Sequence, residues 1–245
     1  MNIPTIAVIL ATDRGRIAGF GQPRQFVSIA CKPVVWYSLN LFENSPLVDC
    51  IVVVTNEESF DWMWGIVNDR KFSKAGMFGI IYGGETLSRA TINAVSYCDR
   101  EIMHGGEAKL LIHNAAWPLV TGKMIKDCVE ALEKYDAVTT AVPMTDTVAI
   151  TDENSMIVDI PKRNRMCAVQ TPQGFKLSVL KIAYERAAGY DDFEATDNCG
   201  IVRKFMLGAK IGIVPGDEEN IELTYPSDLE FIEDLLKKRN RPPFK

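Results

Sequence analysis

The run TIAVILA, residues 5–11, breaks directly into TDRGRIAGFGQPRQF, and that junction constrains the chain more than any other stretch. A segment apolar on both faces has to be covered on both faces, as happens to a strand inside a mostly parallel sheet. Similar β-rich runs recur at CIVVVT, FGIIY, KLLIH and DAVTTAVP. Between them lie segments with helical spacing such as PVVWYSLNLFEN, where Pro33 suits a first helical turn. The alternation predicts an α/β fold: a mostly parallel, Rossmann-like sheet with helices on both faces and ligands at the carboxyl ends of its strands. The turn after the first strand holds glycines and Arg14, Arg16 and Arg24, the composition of a loop that cradles phosphate.

From Met144 to Gln170 the pattern changes. Two short β-prone runs flank Asp152-Glu153-Asn154, which predicts a hairpin arm leaving the main sheet. Helical signals return at KLSVLKIAYERAA and at TDNCGIVRKFML, where Thr196 or Asp197 supplies the cap, and a last helix begins at Pro226. The tail RNRPPFK reads as a frayed end. With no repeats or linkers in view, residues 1–245 are expected to form a single domain, with 144–170 as an excursion from it.

Composition narrows the function classes. A net charge of −5 opposes general nucleic-acid binding, which needs a dense excess of Lys and Arg. No apolar run approaches the roughly 20 residues of a membrane span, and the first residues lack a secretory pattern, so a cytoplasmic location is expected. The six cysteines are scattered without C-x-x-C spacing and read as buried reduced thiols. His104 and His113 alone give little from which to build an imidazole metal cluster or a Ser-His-Asp triad. No G-x-G-x-x-G follows the first strand, which disfavours a nicotinamide dehydrogenase.

Five stretches in fixed order then converge: the opening loop with QPRQF, GGETLSRATINAV, LLIHNAAWPLV, TDTVAITDENSMIVDIPKRNRMCAVQTPQGF, and NIELTYPSDLEFIE. Together they resemble the CTP-dependent polyol-phosphate cytidylyltransferases, which join CMP to methylerythritol 4-phosphate or ribitol 5-phosphate. The arm spacing, with Pro161, Arg163, Asn164 and Met166 ahead of QTPQ, looks more like the ribitol-type branch. The resemblance implies a nucleotidyltransferase fold that forms a homodimer through the arm, with CTP over the first loop and Mg²⁺ at its phosphates. It assigns Ala11, Thr12, Asp13, Gly83, Gly84, Glu85 and Asn114 to the nucleotide, and Arg16, Arg24 and Arg163 to charge stabilisation during transfer. Asp146, Thr147, Arg163 and Thr171 fall to the acceptor, and Asp197 to the metal.

Against the family's A-A-G-x-G-x-R-M loop, Thr12 and Asp13 replace alanine and glycine, Ile17 stands at the arginine, and Arg24 replaces a lysine. G-G-x-x-R-x-x-S has become a stretch with Leu87 and Ala90 at the arginine and serine positions, with Arg89 displaced by two residues. H-D-A-x-R-P has become His113-Asn114-Ala115-Ala116-Trp117-Pro118, and the N-I-K-x-T lysine is Glu222. Transfer between phosphates depends on positioning and on positive charge, so these changes bear on rate. Three readings follow: a working transferase whose phosphate site is rebuilt from Arg14, Arg16, Arg24 and Arg89, a dimeric paralog that kept fold and arm for binding or regulation, or, ranked last, a transferase with another nucleotide or sugar phosphate. Each retained residue also has a plainer role open to it. Asp146 and Thr147 start the hairpin, Arg163 braces an interface or belongs with Lys162 and Arg165 to a solvated face, Thr171-Pro172-Gln173 ends a strand, Asp197 caps a helix, and Trp117 packs.

Overall fold

The computed structural model describes residues 3–12, 21–69, 72–84, 86–188, 190 and 197–239. The expected first strand forms as β1 (Thr5–Ala11), buried along its whole length. Its side chains alternate between two cores: Ala7, Ile9 and Ala11 join one, and Ile6, Val8 and Leu10 the other. That period of two is why the run is apolar throughout and not amphipathic.

After β1 the chain makes a small ribbon of β2 (Ser28–Ile29) and β3 (Lys32–Pro33), then α1 (Val34–Asn44). Pro33 sits one residue earlier than the sequence suggested: it is the extended N-cap of α1 and pairs with Ser28 across the ribbon. There follow β4 (Cys50–Thr55), α2 (Phe60–Asp69), α3 (Ser73–Phe78), β5 (Ile80–Tyr82), α4 (Leu87–Tyr97) and β6 (Lys109–Asn114). Next come α5 (Gly122–Ala131) and β7 (Ala137–Pro143), then the arm strands β8 (Ile150–Thr151) and β9 (Ile157–Asp159). The last elements are β10 (Cys167–Lys176), α6 (Leu177–Ala187), α7 (Asn198–Phe205), β11 (Ile211–Pro215) and α8 (Pro226–Arg239).

Seven strands form one sheet in the order β11-β7-β10-β6-β1-β4-β5. Every pairing is parallel except those of β10, which runs antiparallel to both β6 and β7. Residues of α1, α2, α3 and α5 fill the core on one face, and those of α4, α6 and α7 fill the core on the other. A third cluster joins Ile232, Leu235 and Leu236 of α8 to Val27, Ile29 and Val34. The sequence reading of QTPQ as a strand end gives way here, because Thr171-Pro172-Gln173 lies inside β10. Pro172, which has no N–H to donate, occupies a register shift between Gln170 and Gln173.

Beyond Pro143 and Cys167, which are register partners, the arm stands clear of the sheet. Its β8–β9 ribbon exposes Ile150, Met156, Ile157, Val158 and Ile160. All six cysteines are free thiols, but the expectation that they are buried holds for Cys50, Cys98, Cys128 and Cys199 only. Cys31 is exposed because it lies in the positive-φ turn of the β2–β3 ribbon, and Cys167 is half-buried where the arm rejoins the sheet. Among the described residues no helix is long and apolar enough to cross a membrane.

Candidate active site

The parallel strands deliver their last residues to one edge of the sheet, and β10, running the other way, delivers its early residues to the same edge. There Leu10, Leu87, Ile112, Asn114, Trp117, Val169, Gln170, Thr171, Gln173, Asp197, Asn198 and Glu222 enclose a cavity of about 300 Å³. The fold therefore brings together Asn114, Thr171 and Asp197 from the sequence assignments, and joins to them Trp117, Leu87 and Glu222, three of the altered positions.

Each wall has a local cause. The segment carrying Glu222 is drawn in by a backbone bond from Leu223 N–H to the Ala116 carbonyl, 2.9 Å. Gln170 holds the same segment, donating from Nε2 to the carbonyls of Asp217 (2.8 Å) and Asn220 (2.9 Å), while its Oε1 accepts from Asp217 N–H (3.1 Å). Asn220 in turn donates from Nδ2 to the Thr171 carbonyl, 3.1 Å. On the opposite wall Asp197 caps α7, accepting from Gly200 N–H at 2.9 Å through Oδ1, while Oδ2 accepts from Gln173 Nε2.

Arg24 and Glu222, two departures read separately in the sequence, meet in the fold. A guanidinium nitrogen of Arg24 lies 2.8 Å from Glu222 Oε1, and its other terminal nitrogen donates to the Leu223 carbonyl at 3.1 Å. The short 3₁₀ turn bearing Arg24 is pinned to the end of β1 because the next residue, buried Gln25, donates to the Ala11 carbonyl at 3.1 Å. Asn114 Nδ2 also donates to Glu222 Oε1, at 3.3 Å. Thus a lysine-to-glutamate change is answered by a cation on the first loop, and the cavity wall itself presents carboxylates and amides. Among the described residues lining it there is no cation.

Behind Thr171, fully buried His113 bridges β6 and β10. Its Nδ1 lies 2.9 Å from Thr171 Oγ1, and its Nε2 lies 3.0 Å from Ser38 Oγ and 3.1 Å from the Trp117 carbonyl. Burial pushes its pKa down from 6.5 to about 3, the bond to the Trp117 carbonyl opposing the shift in part, so the imidazole is neutral near pH 7. The sequence reading weighed this residue only together with His104, as too little for an imidazole metal cluster or a Ser-His-Asp triad.

The glycine loop lies beside β1. A Cβ on Gly83 would collide with the Thr12 methyl and crowd Val54, and one on Gly84 would collide with the Arg89 side chain. Thr12 thus closes on Gly83, and Arg89 on Gly84. Arg89 lines a separate groove between α4 and α6 with Asp99, Lys181 and Glu185, not the cavity. Asp146, Thr147 and Arg163 are exposed on the arm, where Arg163 Nη1 donates to the Thr145 carbonyl at 2.7 Å. None of the three lines the cavity of this single chain. Asp13, Arg14, Arg16, Ile17, Glu85, Thr196 and residues 240–245 of the terminal tail lie outside the described residues, while Arg239, the first residue of that tail, closes α8 and donates to the Leu119 carbonyl at 2.7 Å.

A mostly parallel sheet with one antiparallel insertion, a cavity at its strand ends and a protruding ribbon define a nucleotidyltransferase-like α/β protein. The sequence profile described as "IspD: 2-C-methyl-D-erythritol 4-phosphate cytidylyltransferase" matches residues 5–238, and the chain belongs to that family. It is 35% identical over 235 residues to the 2-C-methyl-D-erythritol 4-phosphate cytidylyltransferase of Thermobifida fusca, covering 94% of this chain and 92% of that protein. It is 36% identical over 236 residues to the bifunctional ribulose 5-phosphate reductase/CDP-ribitol pyrophosphorylase Bcs1 of Haemophilus influenzae. That match covers 96% of this chain but only 48% of the longer protein. The solved 4-diphosphocytidyl-2C-methyl-D-erythritol synthase of Anaerococcus prevotii shares the fold, with a TM-score of 0.80 at 23% identity over 96% of this chain and 99% of that one.

Proposed function

We propose that the chain is a polyol-phosphate cytidylyltransferase that moves CMP from CTP to ribitol 5-phosphate or methylerythritol 4-phosphate, and does so slowly. An oxygen of the acceptor phosphate attacks the α-phosphorus of CTP in line; the new P–O bond forms as the bond to the bridging oxygen breaks, and pyrophosphate leaves with that electron pair. No covalent help from the protein is needed, so rate rests on placement and on cations facing the phosphates. The observation that carries the reading is the Arg24–Glu222 pair at the cavity: the cation that would meet phosphate is engaged by a carboxylate 2.8 Å away. The relatives carry both acceptor types in their names, methylerythritol and ribitol, and the arm spacing favours ribitol.

The residues fit Mg²⁺ only as an ion carried by the nucleotide. Among the described residues no group of three or more His, Cys, Asp or Glu side chains is arranged to hold a metal, and Asp197 already accepts hydrogen bonds on both oxygens. Mg²⁺ commonly binds through one or two carboxylates plus substrate phosphates. Asp197 is the carboxylate that would hold it, and the ion, carried in by the nucleotide, would supply charge neutralisation at the triphosphate.

The same cavity supports a second reading, a dimeric paralog that binds ligand or partner without transfer, because its described walls offer carboxylates to an anionic nucleotide. In both readings the arm pairs two chains: its exposed Ile150, Met156, Ile157, Val158 and Ile160 need cover that one chain does not give. Calorimetric titration with CTP and Mg²⁺, followed by pyrophosphate release with ribitol 5-phosphate and with methylerythritol 4-phosphate, separates the readings. Weak CTP binding with slow release is expected; no release with either acceptor selects the paralog, and submicromolar CTP affinity would refute the loss of phosphate charge.

A further inference from the structure

We propose that a second cavity, between α2 and the β2–β3 ribbon with the start of α1, binds a small aromatic zwitterion of the aromatic amino acid class. This cavity shares no lining residue with the one at the carboxyl ends of the strands, and its occupancy does not depend on the transfer reaction.

The cavity measures about 550 Å³, a size that takes a whole small ligand. Phe26, Trp36, Trp62 and Ile66 give it apolar walls. Phe26 and Trp62 meet edge to face, with ring centroids 5.3 Å apart and planes at 78°. Trp62 nevertheless stays 50% exposed, so a third flat ring has aromatic surface to pack on. Gly65 keeps the space open. It lies inside α2 without a positive φ, and a Cβ there would meet nothing within 4 Å, so neither backbone conformation nor close packing calls for glycine. Glycine is unfavourable inside a helix relative to alanine, and what it provides here is an unobstructed wall.

Two opposite charges line the same cavity and do not meet. Lys32, on the ribbon, holds its ammonium over the Trp36 ring, 5.3 Å from the centroid, and Asp61 stands in the first turn of α2. Neither forms an ion pair among the described residues. A pair held apart in this way suits a ligand that carries both signs, with its ammonium toward Asp61 and its carboxylate toward Lys32. A purely apolar ligand would cover both charges without pairing them, and a polyanion would face Asp61. An aromatic amino acid brings the ring and both charges together. The turn that presents Lys32 also holds Ala30 and Cys31 at φ of 46° and 65°, left-handed values that neither residue favours and that gather at ligand sites. Phe26 belongs to the 3₁₀ turn that carries Arg24, so an occupant of this cavity touches the turn whose arginine meets Glu222.

Cys31 lines the cavity and is exposed, which supplies a footprint. L-Phenylalanine should protect Cys31 from iodoacetamide, read by peptide mass, while alkylation of half-buried Cys167 on the arm stays unchanged as the control. Phenylpropionate, which lacks the ammonium, and phenethylamine, which lacks the carboxylate, should each need about tenfold more ligand for half-protection. Asp61→Asn should weaken L-phenylalanine by about the same factor and leave phenylpropionate unchanged. Lys32→Gln should weaken L-phenylalanine likewise and leave phenethylamine unchanged. Gly65→Leu, which fills the cavity from an exposed helix position, should abolish protection with far-UV circular dichroism unchanged. The analogues and Asp61→Asn carry the test independently of that variant. No protection of wild type up to the solubility limit of L-phenylalanine would overturn the site. Equal protection by all three compounds would reduce it to an apolar cleft and remove the zwitterion, and protection that survives Gly65→Leu would place the ligand elsewhere.

Discussion

Glu222→Gln offers a direct way to ask whether lost charge limits the nucleotide site. Glutamine keeps the shape and one carbonyl oxygen, so Arg24 and Asn114 still have an acceptor, but the anion is gone. At an effective dielectric of about 20, unit charges 2.8 Å apart attract by about 6 kcal/mol before solvation is counted. Side chains of Arg24 and Glu222 are 15% and 30% exposed, so water and lost side-chain freedom take back most of this. A net destabilisation of about 1–2 kcal/mol is expected, or roughly 3–6 °C in Tm for a domain of this size. The gain falls on the ligand. Removing one negative charge about 6 Å from one phosphate charge, at a dielectric of about 40, is worth about 1.4 kcal/mol, or tenfold. CTP with Mg²⁺, titrated calorimetrically, should therefore bind at least ten times more tightly to the variant, and the difference should shrink with added salt. Stability lost without any gain in CTP affinity would make the pair a brace and leave the charge argument without support.

Other expectations follow from the same geometry. The folded-state pKa of His113 lies below its unfolded value, so the unfolded chain takes up a proton near pH 6.5 that the native one refuses until about pH 3. The stability involved is fully present above pH 6.5 and is lost as pH falls, at roughly 1.4 kcal/mol per unit. Denaturant titrations should show the stability advantage of wild type over His113→Gln narrowing across that interval; a constant difference would mean the ring is not kept neutral. Ile157→Lys, on the exposed ribbon, should leave helical content unchanged but shift small-angle scattering in dilute solution from dimer to monomer, and a wild-type monomer would remove the argument. Ribitol 5-phosphate at a hundredfold excess over its dissociation constant should stabilise the fold by about 2.7 kcal/mol. Arg163→Ala should abolish that rise in melting temperature if the arm grips the phosphate, whereas an unchanged rise would leave Arg163 as architecture.

The parts of the fold legible in the sequence are those whose burial is local. β1, β4, β6 and β7 announce themselves because both faces are covered and their central residues are mostly apolar or β-branched. The cap at Asp197 was readable because capping is short-range chemistry, here a bond three residues along the chain. β10 was not, since Gln170, Thr171, Pro172 and Gln173 look like turn material. They are tolerated in the sheet because their polar groups are answered from afar, by Asp217, Asn220, His113 and Thr139. The site followed the same rule. Arg24 and Glu222 each stood out as departures from a family pattern, but nothing in linear order says that residues 198 positions apart touch. The available hint was an anion, Glu222, at a position where the resemblance places a lysine, in a chain that keeps a cation at Arg24.

The single antiparallel strand has a further consequence. Because Pro143 and Cys167 face each other as register partners, the whole excursion enters and leaves the sheet through one gate two strands wide. Its length and sequence are free to change without moving either strand, which makes it an exchangeable cassette. It is not a mechanically idle one. From Cys167 to Gln170 the chain runs as extended backbone laddered to β7, and Thr171 follows where the register shifts. A displacement of the outlying ribbon, from a second chain or an arriving ligand, enters β10 four residues before the hydroxyl bonded to His113.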